Sequence, residues 1–342
     1  MARQTRPVNH TPRGRAATPA AVPTSSKTTL LIGLGVVAGI GVAIALIFFA
    51  VQALRGPQAP TLAGVEECRG FPSFTTDPTY GFRGGVVAST SLPDRMGLVL
   101  LDPARGGQGF QHPNGTWDDA GWLGPVVSDG EGNIYAGPVP RTSLVDNPPA
   151  GANTLWVLQS ATGVFTSYLT LEGAAPPGER NPFGVMGLSF DCDTNQLFVS
   201  SVAGSGPTSE VGRLSRVSIK DKVAVTIKEG VDTLGLAVVK IEGQKRLFYG
   251  LARVGEVWSV ALDEAGNAVS EPRQEFALGN LGGEDDRVLR IDVEKDENAL
   301  RILTVPFAFT LQARSASLQQ GYLARPTTDG TWALERIAPP NQ

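Results

Sequence analysis

The sequence predicts an all-β protein: a five- or six-bladed β-propeller outside the membrane, preceded by one N-terminal transmembrane helix. Its 41 glycines and 25 prolines among 342 residues favour many short elements joined by turns. A turn motif of Asp, Gly and Asn recurs between short apolar runs, and these runs repeat along the chain. One uncharged apolar segment near the N-terminus is long enough to span a bilayer as a helix.

The apolar segment covers residues 28–54, which contain no charged side chain. A helix of about 20 apolar residues spans a bilayer core. Five basic residues and no acidic ones precede the segment, whereas Arg55 alone follows it closely. This excess of positive charge places the N-terminus in the cytoplasm. We therefore predict a single-pass, bacterial-type cell-membrane protein whose C-terminal domain is extracytoplasmic.

The alternative for this segment is a cleaved secretory signal, whose apolar region is typically about 7–15 residues long. The run here is longer and Ala50–Ala53 is a poor cleavage site, so we expect an uncleaved signal-anchor. Residues 1–27 are rich in Pro, Ala, Thr and Arg and are expected to be a disordered, basic cytoplasmic tail. Without its five basic residues the chain keeps 24 basic and 33 acidic ones, which disfavours binding to nucleic acid.

The turn motif is clearest in SDGEGNIYAG, which begins at Ser128. Its pattern D-x-x-G-N at Asp129–Asn133 recurs at Asp263–Asn267, and looser versions begin at Asp193, Lys295 and Asp329. Asp and Asn hydrogen-bond the local backbone, and Gly adopts positive φ at no steric cost. The motif therefore predicts hairpin turns between short strands.

The strands that follow these turns repeat at a regular spacing. Aligned at Val86, Ile134, Leu197, Leu247 and Leu300, they differ in residue number by 48, 63, 50 and 53. Four antiparallel strands in about 50 residues are typical of a propeller blade. A two-sheet sandwich of this length would be unusually large and would not explain the period, and a solenoid would need a shorter repeat. Five units are visible in residues 84–342, and residues 55–83 are either a stalk or a ring-closing segment.

Two stretches, GPVVSDGEGNIYAG and NPFGVMGLSFDCDTNQLFVSS, resemble propellers of the NHL-repeat type and the wider gluconolactonase-like and strictosidine-synthase-like group. In those proteins an inner strand, a D-x-x-G-N turn and an apolar-aromatic strand recur in each blade. The resemblance extends from about residue 84 to 337 and implies a propeller architecture. It also implies that an enzyme of this kind would hold a metal ion in the central channel with Glu, Asn and Asp ligands, but those ligands cannot be matched to positions here.

Glu284, Asp285 and Asp286 are the candidate metal ligands, because they directly precede an inner strand and could face the channel entrance. Three carboxylates suit a hard cation such as Ca²⁺. The alternative is a solvated loop with Arg287 and Arg290 as counter-charges. No other cofactor is predicted. His112 is the one histidine beyond the membrane segment and no G-x-S-x-G motif occurs, so support for an enzyme is weak.

Three long connections are predicted to share one face of the propeller, here called the long-loop face: residues 138–153, 202–212 and 306–321. Long loops on a rigid scaffold are where binding usually occurs. These connections, with the neighbouring inter-blade segment, carry aromatic and arginine side chains of the kind favoured at interfaces: Arg141, Phe183, Phe307, Phe309 and Arg314. We therefore predict a binding or scaffold module for a protein or small-molecule ligand. The alternative function is a metal-dependent lactonase-like hydrolase, and the aromatics could instead pack their own loops.

Cys68 and Cys192 both follow the membrane segment, so an oxidising compartment would allow them to pair. A bridge between them would fasten the segment after the anchor to the side of the propeller that carries the hairpin turns after the inner strands. This side, here called the turn face, is opposite the long-loop face. The long-loop face would then point away from the membrane. The alternative is two unrelated thiols.

Overall fold

The structure, a computed structural model, describes residues 58–338 except 66, 84, 93, 112–114, 142, 283–284 and 312–318. The predicted cytoplasmic tail and membrane segment lie outside these residues, as do Glu284 and Arg314. Among the residues described, no helix is both long and apolar enough to cross a membrane. The chain from Gln58 onward forms one compact unit.

In the described part of this unit, twenty strands form five antiparallel sheets, which are the blades of a propeller. Blade 1 contains β2 Val87–Ser89, β3 Val99–Asp102 and β4 Gln108–Phe110. Blade 2 contains β5 Leu123–Ser128, β6 Ile134–Pro138, β7 Thr154–Leu158 and β8 Phe165–Thr170. Blade 3 contains β9 Val185–Asp191, β10 Gln196–Ser201, β11 Arg213–Ser218 and β12 Val223–Glu229.

Blade 4 contains β13 Thr233–Ile241, β14 Gln244–Leu251, β15 Glu256–Ala261 and β16 Arg273–Ala277, and β1 Leu62–Gly64 joins it. Blade 5 contains β17 Asp286–Glu294, β18 Ala299–Pro306, β19 Gln320–Pro326 and β20 Trp332–Ile337. Short 3-10 helices span Ser73–Thr76, Pro78–Tyr80, Pro103–Arg105, Pro149–Gly151 and Gly279–Leu281. The predicted all-β propeller is confirmed, and five blades are present where the sequence left five or six open.

Side chains alternate between the two faces of each strand, and the apolar ones pack between neighbouring blades and hold them together. Four buried clusters fill the interfaces between blades 1 and 2, 2 and 3, 3 and 4, and 4 and 5. They include, in that order, Phe165, Phe190, Tyr249 and Phe248. Among the described residues no such cluster joins blade 5 to blade 1.

The inner strands β9, β13 and β17 pack backbone against backbone, which requires glycine at the contact. A Cβ atom placed on Gly187 would lie 2.0 Å from the carbonyl oxygen of Leu234. One placed on Gly235 would lie 2.8 Å from the carbonyl carbon of Leu289. Real side chains do not approach backbone atoms so closely, so these two glycines set the spacing of blades 3, 4 and 5.

Residues 58–76, here called the strap, run across the turn face and contact successive blades. Strand β1 of the strap pairs antiparallel with β13, the inner strand of blade 4, with Leu62 opposite Ile241. The strap therefore forms neither a free stalk nor a strand of the last blade. Five hydrogen bonds join the strap to blades 5, 4, 3 and 2, and in each of them a backbone amide is the donor. They run from Leu62 N to Asn298 Oδ1, from Glu242 N to Thr61 O, from Cys192 N to Val65 O, from Gly70 N to Asp129 O, and from Phe74 N to Ser160 O.

The strap also explains Gly132 in the stretch SDGEGNIYAG. Asp129 Oδ1 accepts the amides of residues 131 and 133, as Asp263 Oδ1 does at the second D-x-x-G-N turn. Gly132 has φ of +81°, and a Cβ there would lie 2.1 Å from the carbonyl oxygen of Phe71 in the strap. A Cβ on Gly70 would lie 2.9 Å from the carbonyl oxygen of Gly130. The predicted hairpin turn is present, and Gly132 also lets the strap lie against it.

An ion-pair cluster stands beside the strap at the turn between β9 and β10. Asp191 is fully buried and pairs with Lys245 at 2.8 Å, and Asp193 pairs with Lys240 at 2.7 Å. The hydrogen bond from Lys240 lowers the pKa of Asp193 below its usual value. A carboxyl with a lowered folded-state pKa stabilises the fold above its unfolded pKa of about 3.9. That contribution is lost as the pH falls through the lower folded-state value.

We expect Asp193→Asn to make the protein less sensitive to acid. The loss of unfolding free energy between pH 6 and pH 3, measured by urea titration, should be smaller in the variant than in the parent. Lys240→Met should reduce the pH dependence in the same way, and the double variant should show no further reduction. An unchanged pH dependence in both single variants would contradict this assignment.

Candidate functional site

An apolar cluster lies on the long-loop face, where the inner strands β9, β13 and β17 begin. Phe183, Phe307 and Phe309 come together there, with ring centroids 5.3 Å apart for the first pair and 5.2 Å for the second. Phe183 and Phe309 are buried, and the cluster includes side chains from the upper ends of the inner strands: Met186, Leu234 and Leu289. The structure therefore assembles the three predicted aromatics, but it turns two of them inward to pack the loops.

Arg253, which the sequence analysis did not single out, ties the loops of three blades together. Its guanidinium donates to the buried carboxylate of Asp232 at 2.6 Å and to the carbonyl oxygen of Gly206 at 2.8 Å. The same group lies 4.6 Å from the ring centroid of Phe309, in blade 5's loop. A planar guanidinium with five donors is suited to such multiple contacts. Gly206 of blade 3, Asp232 and Arg253 of blade 4 and Phe309 of blade 5 thus form one connected platform.

Asp232 is the buried anion at the centre of this platform. Besides Arg253 it accepts the amide of Gly212 at 3.0 Å and the hydroxyl of Ser205. Burial raises the pKa of Asp232, and the hydrogen bonds from Ser205 and Arg253 oppose that rise. A buried carboxylate with this many donors is held in place as a structural counter-charge.

Arg141 joins blades 1 and 2 in a similar way. Its guanidinium donates to the carbonyl oxygens of Thr90 and Leu92 and lies 4.4 Å from the ring centroid of Trp122. Burial lowers the pKa of Arg141. This predicted interface residue is thus engaged within the chain, and its role in binding a partner stays a prediction.

The predicted metal ligands are described only in part. Asp285 is exposed in a turn, whereas Asp286 is buried and accepts a hydrogen bond from the Tyr322 hydroxyl at 2.9 Å. Burial and that carboxylate raise the pKa of Tyr322 to about 12. The described residues contain no group of three His, Cys, Asp or Glu side chains that could hold a metal ion. Because Glu284 lies outside them, the three-carboxylate Ca²⁺ site stays a prediction.

Exposed apolar side chains on the long-loop face offer contacts that the sequence analysis missed. Val145 in the connection 138–153 is 86% exposed, Val254 beside Arg253 is 43% exposed, and Leu281 before β17 is 39% exposed. Single aliphatic residues in polar loops carry no periodic signal, so pattern analysis passes over them. Their exposure distinguishes them from the phenylalanines of the apolar cluster.

Surface depressions in the described residues lie elsewhere. One of about 160 Å³ is lined by Tyr80, Phe82, Asp102 and Arg105 at the rim of blade 1. Another of about 290 Å³ lies between the outer strands of blades 2 and 3, beside Leu169 and Val223. Both are open to solvent, and no residue of an inner strand lines either of them.

On the turn face, Cys68 and Cys192 form a disulfide with their Cα atoms 5.7 Å apart. The bond joins the strap to the turn that follows β9 in blade 3. It therefore fastens the segment after the predicted anchor to the side opposite the long-loop face, which is the arrangement that the sequence analysis predicted for a paired state.

No model of a known protein family matches the chain, and neither does any curated protein. Solved structures with a similar fold include regucalcin, a calcium-binding protein from Agrobacterium tumefaciens strain C58, at 13% identity and TM-score 0.46 over 82% of this chain and 78% of that one. The nidogen/laminin complex matches at 9% identity and TM-score 0.41, over 71% and 90%. A luciferin-regenerating enzyme matches at 9% identity and TM-score 0.40, over 82% and 95%. The similarity concerns the fold alone, and no ligand or reaction follows from it.

Proposed function

We propose that the chain is a membrane-anchored, extracytoplasmic β-propeller that acts as a binding or scaffold module. Its binding surface is the long-loop face. The observation that carries this proposal is the platform around Arg253, which joins the loops of three blades with Asp232 and Phe309. Rigid loops with exposed apolar side chains lose little conformational entropy on binding.

The apolar cluster on the long-loop face favours binding on the surface over chemistry in the channel. Phe183 and Phe309 pack where the inner strands begin, and β1 of the strap pairs with the opposite end of inner strand β13. A ligand of the propeller would therefore meet the outer side of the platform, where Val254 and Leu281 are exposed. Both a protein partner and a small ligand remain compatible with such a surface.

The position of the strap supports an outward orientation of this face. Residues 58–76 lie on the turn face, and residue 58 follows the predicted membrane segment within a few positions. If residues 28–54 span the bilayer, the turn face lies nearer the lipid and the long-loop face points away. Protease treatment of intact cells tests the topology: a C-terminal tag that stays protected from external protease would contradict it.

Site-specific photo-crosslinking in living cells tests the binding surface. A photoreactive residue in place of Val254 should give a defined adduct. The same residue in place of Val269, which is 58% exposed on the turn side, should not. Equal adducts from both positions, or none from Val254, would contradict the proposal.

The rival hydrolase is tested separately by calorimetric titration of the full chain with Ca²⁺, Mg²⁺ and Zn²⁺, since a catalytic metal site should bind one ion tightly.

A further inference from the structure

We propose that the Cys68–Cys192 bond is a site of thiol–disulfide exchange with an external dithiol protein, which attacks Cys68 and thereby releases the middle of the strap. The inference rests on the environments of the two cysteines and on the contacts of the strap. It is independent of the ligand at the long-loop face.

The two cysteines differ in their access to a reductant. Cys68 is exposed on the strap, whereas Cys192 is half-buried and packs against the apolar cluster between blades 2 and 3. Exchange requires an incoming thiolate to reach one sulfur along the axis of the S–S bond, so access decides which sulfur is attacked. Exposure therefore assigns Cys68 as the attacked sulfur and Cys192 as the leaving group.

A hydrogen bond supports the same direction of attack. The backbone amide of Cys68 lies 3.1 Å from the Sγ atom of Cys192 and donates to it. A donor at that distance stabilises negative charge on the departing sulfur, and a better-stabilised leaving thiolate departs faster. This hydrogen bond joins the two bridged residues, so it is present before the incoming thiolate attacks.

With a dithiol as the reductant, the bonds, electrons and protons of the exchange balance. Its first thiolate forms a bond to Cys68 Sγ while the Cys68–Cys192 bond breaks, and Cys192 leaves as a thiolate that takes up a proton. The second thiol then attacks the dithiol's own sulfur in the mixed disulfide, releasing Cys68, which is protonated in turn. Two electrons and two protons pass to the two cysteines, and the dithiol becomes a disulfide.

The remaining contacts limit what reduction can open. On one side of Cys68, β1 stays paired with β13 and Leu62 stays buried. On the other side, Phe74 stays in the apolar cluster of blades 1 and 2. Val65 also stays buried in the cluster between blades 3 and 4. The contacts of the part that follows include the bridge, the hydrogen bond from the Gly70 amide to Asp129 O, and an exposed ion pair between Glu67 and Lys295. Exposed ion pairs contribute little, so residues 67–71 are the part that opens.

A trapping experiment tests the attacked sulfur. The full chain in nanodiscs is mixed with a thioredoxin-type protein whose resolving cysteine is replaced by serine, then quenched with an alkylating agent and mapped by mass spectrometry. We expect the mixed disulfide on Cys68 and the alkyl group on Cys192. A mixed disulfide on Cys192, or no mixed disulfide, would overturn the proposal.

Hydrogen exchange tests the release of the strap. After reduction, amides of residues 67–71 should exchange at least about tenfold faster, while those of β13 and β14 keep their rates. The double variant Cys68→Ser/Cys192→Ser should show the fast exchange without any reductant, which separates loss of the bond from other effects of the reagent. Unchanged exchange in both samples, or faster exchange throughout the blades, would overturn the release step.

Discussion

Asp232→Ala is expected to lower the free energy of unfolding by about 3 kcal/mol, because it leaves the Arg253 guanidinium without its buried counter-charge. The variant also removes the acceptor for the Gly212 amide and the Ser205 hydroxyl. Unpaired buried donors carry the full cost of their lost hydration. Urea titration of the full chain measures the change, and hydrogen exchange should show faster amides in residues 202–212.

Asp221→Ala is the matched control, since Asp221 is exposed and bonds the local hydroxyl of Ser218. Its unfolding free energy should stay within about 0.5 kcal/mol of the parent. In a double-mutant cycle, Asp232→Ala combined with Arg253→Ala should cost less than the sum of the single changes, because the residues share one interaction. Strict additivity, or a neutral Asp232→Ala, would refute the role of this pair in the platform.

Gly187→Ala should be equally costly, by about 3 kcal/mol, and should lower the melting temperature by roughly 6 °C. The new methyl group would meet the carbonyl oxygen of Leu234 at 2.0 Å, and neither β9 nor β13 can shift without disturbing the inter-blade clusters. A clash with backbone is not relieved by a change of rotamer. Thermal unfolding followed by circular dichroism measures the effect.

Gly151→Ala provides the control, because a Cβ at Gly151 would meet no atom within 4 Å. That variant should melt within about 2 °C of the parent. Equal melting temperatures for the Gly187 and Gly151 variants would show that the inner strands can separate freely. The close packing of the blades would then not set the position of the loops above them.

Local features of the chain were predictable because they depend on residues that are close in sequence. The turn at Asp129–Asn133 follows from hydrogen bonds across four residues, and the second turn at Asp263–Asn267 repeats them. The blade period follows from strands that pair with their immediate neighbours in the chain. Such contacts leave a pattern in the order of residues, and that pattern sufficed for the all-β class and the propeller architecture.

The direction of a side chain in a loop leaves no such pattern. Phe183 and Phe309 were predicted as interface anchors, but the structure buries them, and Val254 is exposed in their place. Arg253 became central only because Asp232, Gly206 and Phe309 converge on it from three blades. An aromatic or arginine residue in a long loop has the same sequence signature whether its side chain is buried or exposed.

The sequence by itself determined the blade repeat and the turn geometry, because both depend on residue type and local spacing. It offered one candidate pair of cysteines because the chain contains two. Only the tertiary structure decided the path of the strap, since its bonds join residues as distant as Leu62 and Asn298, 236 positions apart. It also decided why Gly132 stands in the first turn, which the strap approaches from outside the blade. Contacts over such separations depend on how the blades are arranged in space, and no short stretch of sequence records that arrangement.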